Sequence, residues 1–253
     1  TIQGHMQESA GNEYQGLSID GISITVYATQ DTVESDSFNN QYDKDARVDA
    51  NSVAAISDAM KKAGSVINVK ESVAPEKTLI AEKKDITLNM NGKTIANTSD
   101  IWDVASNNWS LVSAQNGSSL TINGNGTFKA KENDCYAVDV QDGSSVVIKN
   151  GTFVGNIHAV YVYEGTAIIE GGTYSVQQKY PDAAKADEFV LNCLDENYKA
   201  GTAKIIVKGG TFINFNPADC QAEGKDTNFL ASGYTVKSEV KGNDTYYTVV
   251  KAN

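Results

Sequence analysis

A carboxylate, an imidazole and two phenols, Asp139, His158, Tyr161 and Tyr163, fall close together in the sequence, with Trp102, Trp109 and Tyr180 in longer segments on either side. Aromatic rings beside carboxylates suit sugars, which offer C–H faces and hydroxyl rims. His158 has the chemistry of a general base, but no carboxylate in its own segment would orient it. Glycoside hydrolysis asks for two carboxylates at a fixed separation, and the pattern supplies no such pair. No catalytic residue is therefore assigned, and these seven residues are candidates for a binding groove. A second group, Asp31, Glu34, Asp36, Asp43 and Asp45, has the hard oxygen ligands that calcium takes. It lacks the Asp-x-Asp-x-Asp-Gly spacing of a calcium loop and reads better as a solvated acidic linker than as a calcium site. No cofactor is implied; calcium is the one ion the composition would suit.

The elements that must position these residues repeat. Leu120-Thr-Ile-Asn-Gly-Asn-Gly-Thr-Phe128, Val146-Val-Ile-Lys-Asn-Gly-Thr-Phe153, Ala167-Ile-Ile-Glu-Gly-Gly-Thr-Tyr174 and Ile205-Ile-Val-Lys-Gly-Gly-Thr-Phe212 each run from a β-branched strand into a Gly-Thr-aromatic turn, and Ile86–Ile95 is a degenerate copy. The turn glycines stand at 92, 126, 151, 172 and 210, giving spacings of 34, 25, 21 and 38 residues. About 21 to 25 residues fit three short strands with tight corners, one coil of a stacked solenoid whose units bury their apolar edges against one another. Stacking would align Thr127, Thr152, Thr173 and Thr211 in one ladder and Phe128, Phe153, Tyr174 and Phe212 in another, the aromatics facing inward.

A second strand follows each turn. Alternation places Val112, Val138, Val160 and Asn192 inside, with Ala114, Val140, Val162 and Leu194. Ser113, Asp139, Tyr161 and Cys193 then face outward, with Gln115, Gln141, Tyr163 and Asp195. The longer repeats carry their extra residues between turn and second strand, near 97–109 and 177–189. Insertions at one place in successive repeats project from one side. They would wall a saddle on the order of 10–15 Å wide, its floor Asp139, Tyr161 and Tyr163, with His158 at a corner and Trp102, Trp109 and Tyr180 as walls.

At the ends, Asn51–Gly64 reads as an amphipathic helix with Val53, Ile56, Met60 and Ala63 on one face, capped by Asp49 or Asn51, covering the open strand edges. Tyr234–Val240 and Thr245–Val250 flank Lys241-Gly-Asn-Asp244 as a closing hairpin. The expected organisation is a cloning scar at 1–6, a strand-containing linker or domain remnant at 7–48, and one repeat domain with its caps at 49–253. The fold class is all-β: a right-handed, single-stranded parallel β-helix with an N-terminal capping helix and a C-terminal closing hairpin. Three widely spaced cysteines, Cys135, Cys193 and Cys220, form no metal pattern and leave either free thiols or one disulfide with a spare. A formal charge of −11 disfavours nucleic acid and anionic lipid as partners. No segment is apolar and long enough to span a membrane.

The capping helix, Leu88-Asn-Met-Asn-Gly-Lys-Thr-Ile95, the Gly-Gly-Thr-Phe turns and the tail segments Asn214–Asp219 and Thr227–Tyr234 resemble the parallel β-helix domains of the pectin-lyase-like superfold found in bacterial surface and phage structural proteins. Asn12–Gly16 through Val26–Gln30 resembles the end of a camelysin or TasA-type secreted matrix domain, which implies export to the surface of a Gram-positive cell. Lyases of the superfold resemble one another in using carboxylate-held calcium and an Arg or Lys base. Here Arg47 is the only arginine and lies outside the repeats, and the Asn-Thr-Asp, Asp-Asp, Gly-His-Gly and Arg-Ile-Lys motifs of its hydrolases are missing. The expectation is a non-catalytic, secreted or surface-displayed domain for adhesion, matrix assembly or glycan binding. Its partners would be a glycan or a surface protein, and its oligomeric state is open. A polysaccharide lyase or hydrolase stands second, and a phage fibre or capsid-decoration protein third.

Overall fold

Each β-branched run becomes a strand and each Gly-Thr-aromatic turn a corner into the next. The computed structural model describes residues 47–179 and 188–252, all in the compact unit 34–253. The acidic group at 31–45, residues 7–46 of the expected strand-containing linker and Tyr180 lie outside the described residues. The order begins β1 (Arg47–Ala50), α1 (Val53–Met60), β2 (Val66–Val69) and β3 (Leu79–Ala81). Four triples follow: β4 (Ile86–Asn89), β5 (Thr94–Ala96), β6 (Ser110–Ala114); β7 (Ser119–Asn123), β8 (Thr127–Lys129), β9 (Tyr136–Val140); β10 (Ser144–Ile148), β11 (Thr152–Gly155), β12 (Val160–Val162); and β13 (Gly165–Ile169), β14 (Thr173–Val176), β15 (Leu191–Cys193). The chain ends with α2 (Asp195–Ala200), β16 (Ala203–Val207), β17 (Thr211–Ile213), β18 (Tyr234–Lys241) and β19 (Asp244–Lys251).

The three members of each triple go to three different sheets, in rotation. The first sheet runs β1-β2-β4-β7-β10-β13-β16, the second β18-β19-β17-β14-β11-β8-β5, and the third β15-β12-β9-β6-β3. All coil-to-coil pairings are parallel. The protein is thus mostly β, built of stacked parallel sheets, an arrangement compatible with a β-helix-like solenoid. The C-terminal hairpin is antiparallel and joins the second sheet through β17 and β19.

The aromatic ladder forms as its spacing predicts. Phe128 pairs with Phe153, Phe153 with Tyr174 and Tyr174 with Phe212, and all four rings are fully buried. Their centroids lie 4.8, 5.1 and 4.9 Å apart with planes within 14° of parallel. That separation is the inter-strand distance itself, so the rings stack because the strands do. Burial of each ring contributes about 2–3 kcal/mol, and stacking roughly another 1 kcal/mol per pair. The turn glycines permit this closeness: a Cβ on Gly126 would meet Met90 Cβ at 2.3 Å and the Lys93 carbonyl oxygen at 2.7 Å. Gly172 has φ +100°, where an L side chain is strained.

Two local expectations are corrected. Ser52 caps α1, its hydroxyl accepting from Ala55 N at 3.2 Å, in place of Asp49 or Asn51. The helix buries Ile56, Ala59 and Met60 and packs against the first strands, β3, β1 and β2. The third-sheet alignment also slips by one at β15. Leu191, Asn192 and Cys193 pair with Val160, Tyr161 and Val162. Cys193 is therefore interior, Asn192 joins the outward column of Asp139 and Tyr161, and Leu194 is the N-cap of α2. A single-residue shift moves every side chain to the opposite face. All three cysteines are free. Among the described residues no helix is long and apolar enough to cross a membrane.

If the ring stack holds adjacent coils together, Phe153→Ala, which removes one of its two inner members, should lower the unfolding free energy by about 3–5 kcal/mol. Urea denaturation measures this directly; a loss under about 1 kcal/mol would show that the stack is incidental.

Candidate functional site

The insertion between β5 and β6, residues 97–109, does not stand up as a wall; it folds down over the third sheet. One carboxylate holds its base. Asp134, almost fully buried, accepts from Asn97 Nδ2 at 2.6 Å, from Ile101 N at 3.1 Å and from Trp102 N at 3.0 Å. Asn97 Oδ1 in turn accepts from Lys131 N at 2.7 Å. A buried anion met by several N–H donors is a strong local anchor, because each bond is charge-assisted and none competes with water. Farther along, Asn107 Nδ2 donates to Gln141 Oε1 at 2.6 Å, and Gln141 Nε2 donates to the Asn107 carbonyl at 3.0 Å. Every residue of β6 and β9 is buried as a result, on both faces.

The covered face changes the role of several candidates. Asp139, expected on an open floor, has no exposed surface. Gln141 Nε2 donates to its Oδ2 at 3.0 Å, and Oδ1 accepts no hydrogen bond. Burial pushes its carboxyl up to about 6, against the lowering effect of Ser113, Gln141 and Ser110. His158 is 7% exposed. Its Nδ1 donates to the Phe189 carbonyl at 2.6 Å, which leaves Nε2 to accept from Asn192 Nδ2 at 3.3 Å. Burial lowers the imidazole to about 4, opposed by the Phe189 bond, so the ring is neutral and both its nitrogens are engaged.

Most of the aromatic candidates do come together, around a residue that the sequence pattern did not single out. Tyr136 packs at 4.8 Å from Trp102, 4.9 Å from Tyr161 and 5.0 Å from His158. Trp102 meets Trp109 edge-on at 4.8 Å, and His158 stacks on Tyr161 at 5.4 Å. Trp102, Trp109 and Tyr161 are half-buried, while Tyr163, outside the cluster, is 38% exposed. The cluster is thus the covering of the third sheet, with Trp102 at its margin.

Beside that margin opens a cleft of about 510 Å³, lined by Asp100, Trp102, Asn133, Asp134, Asn156, Ile157 and Gln178. Loop corners from four successive coils meet here. Asn133, at φ +63°, donates its backbone N–H to Asn156 Oδ1 at 3.0 Å, which joins two of those corners. Asp100 is paired with Lys131 at 2.8 Å at the surface. No family model, curated protein or solved structure matches the chain. What the cleft can do follows from its side chains: one indole face, one exposed carboxylate, and the amides of Asn133, Asn156 and Gln178, which both donate and accept. Of its seven lining residues the sequence pattern had named only Trp102. The available signal was the polar turn Glu132-Asn133-Asp134, which falls at the corner where the 97–109 insertion leaves the coil.

A second carboxylate of unusual character lies on the loop after β17. Glu223 Oε1 accepts from Cys193 N at 2.6 Å, and burial pushes the acid up to about 7, with Asp195 nearby raising it further. The described residues contain no group of three or more His, Cys, Asp or Glu side chains placed to hold a metal ion.

The raised Asp139 value fixes a sign. A folded value of about 6 against an ordinary 3.8 means that the fold disfavours the ionised form. Its contribution to stability is full below pH 4 and is lost as pH rises through 6, by about 3 kcal/mol at most. Asp139→Asn should therefore be more stable than the parent at pH 7–8, with the advantage shrinking toward pH 4. Chemical denaturation of both proteins across that range tests it; a difference independent of pH would mean that Asp139 does not titrate there.

Proposed function

We propose that this chain is a surface-displayed or secreted bacterial domain of the right-handed parallel β-helix type, with α1 and the β18–β19 hairpin as its caps, and that it binds glycans without transforming them. The observation that carries this reading is the cleft beside Trp102. An indole face set against amides and a single exposed carboxylate matches a pyranose ring, whose axial C–H groups pack on aromatic carbon while its hydroxyls bond to amides. The local charge selects among sugars. Asp100 and Asp134 line the cleft and the chain carries a net charge of −11, so neutral and amino sugars fit better than uronates. A role in adhesion or matrix assembly follows from binding of this kind on a cell surface.

Hydrolysis is the second reading, and Glu223 favours it. A carboxyl near 7 suits a general acid, and Asp195 is an exposed carboxylate within its electrostatic reach. Glu223 holds the N–H of Cys193, next to the Asn192 that pairs with Tyr161, which sets it beside the third-sheet aromatics.

A glycan array spanning uronans, mucin-type glycans and bacterial wall polymers separates these readings. A specific hit among neutral or amino sugars is expected. Trp102→Ala should weaken that binding by at least about tenfold, roughly 1.4 kcal/mol. Because Trp102 also packs against Tyr136, Gln178→Ala is the companion variant; it should weaken binding with an unchanged melting temperature. Undiminished binding by both variants removes the cleft from the proposal. Turnover of the bound glycan, abolished in Glu223→Gln, would promote the second reading.

A further inference from the structure

The outer edge of β18 is the longest strand edge left unpaired among the described residues. Its inner side is fully laddered to β19, from Tyr234 against Lys251 to Lys241 against Asp244. Its outer side has no neighbour in the sheet order among the described residues. Side chains from Lys237 to Lys241 are all exposed, and Val240, at 72%, is the most exposed large apolar residue described. Eight residues of open edge, with main-chain donors and acceptors in regular array, form a template for another strand. Exposed edges are commonly guarded by charge, and Lys237, Glu239 and Lys241 supply that guard.

The order of those charges points to one partner. Lys237, Glu239 and Lys241 share one face of the strand, and Val236, Ser238 and Val240 share the other. When two copies of β18 pair antiparallel about a two-fold axis through Ser238, Lys237 of each copy stands opposite Glu239 of the other. In the same register Val236 of each copy stands opposite Val240 of the other, which covers the exposed valine. Directly opposed unlike charges and β-branched pairs are the favourable cross-strand combinations. An axis through Glu239 would instead set Lys237 against Lys241 and Glu239 against itself. An axis through Val240 would pair Glu239 with Lys241 but would run the ladder out into the turn at Gly242 and Asn243. The Ser238 register alone matches charges and valines across the whole of Thr235–Lys241.

We propose that β18 is a self-association edge, through which two copies of this chain form a closed, two-fold symmetric dimer with a continuous second sheet. The interface is isologous, so it closes at two copies and does not propagate. The charges thus exclude unrelated strands while complementing the same strand in reverse. The contact is small, which sets its strength in the micromolar range, and it is independent of any glycan bound elsewhere.

Sedimentation velocity on the full chain from about 1 to 300 µM tests the proposal. The parent protein should pass from monomer to dimer. Lys237→Glu alone and Glu239→Lys alone each set like charges opposite one another twice, and each should weaken the dimer by at least about tenfold. An equimolar mixture of these two variants restores both unlike pairs and should dimerise as the parent does. The double variant K237E/E239K should dimerise likewise. Both positions are exposed, so melting temperatures close to the parent's will show that the fold is kept. A parent that stays monomeric throughout the range, an assembly larger than a dimer, or single variants that dimerise undiminished would overturn the proposal.

Discussion

Parallel stacking in register is the constraint on which the rest of this structure depends. Once Phe128, Phe153, Tyr174 and Phe212 are set one inter-strand distance apart, every other residue of a coil acquires its neighbours from the coils above and below. Interior volume is then conserved from coil to coil. That is why Val112, Val138 and Val160 recur at one position and Ala114, Val140 and Val162 at the next. The turn glycines serve the same end, since a side chain at Gly126 would hold two coils apart. Variation is confined to the corners, where a loop can lengthen without disturbing the ladders. The candidate site is made of such corners.

The site divides its labour between buried anchors and an exposed rim. Asp134 fixes the backbone at Ile101 and Trp102, and the Asn107–Gln141 exchange holds the far end of the same loop down. Asp139 and His158, chemically the most suggestive side chains in the sequence, end up beneath or within this covering, Asp139 with one oxygen bonded to Gln141 and the other without a partner, His158 with both ring nitrogens engaged. Burial thus turns groups that would serve as acid or base in water into structural parts. The rim of the cleft is left to Trp102 and the amides of Asn133, Asn156 and Gln178.

The repeat was legible because it is written in residues that few other arrangements tolerate: a glycine, a β-branched residue and a ring at a fixed interval. The hairpin was legible for the same reason, from Gly242-Asn243 between two alternating runs. The slip at β15 was not, because Leu191-Asn-Cys-Leu194 is apolar at both parities and only the pairing of Asn192 with Tyr161 decides which side faces in. Tyr136 was overlooked because it stands at a strand start, where alternation is weakest, and its importance comes from Trp102, far away in sequence. The collapse of 97–109 onto the sheet rests on Asp134 and Gln141 finding backbone partners across a whole coil. No periodicity encodes that.

One polar ladder on the first sheet carries a consequence of a different kind. Asn123 donates to Asn89, Asn89 donates to Asn68, and Asn68 donates to the Asp49 carboxylate, so all three amides point the same way. Such a file has a head and a tail: a carboxylate receives at one end, and Lys149 occupies the next position at the other. Turning any inner amide over would break two bonds at once, which makes the file cooperative. A coil that entered the stack one step out of place would set an amide where the carboxylate or the lysine belongs. The file therefore gives a nearly uniform column of coils a polarity and a fixed starting point, much as a numbered edge tells otherwise identical pages which comes first.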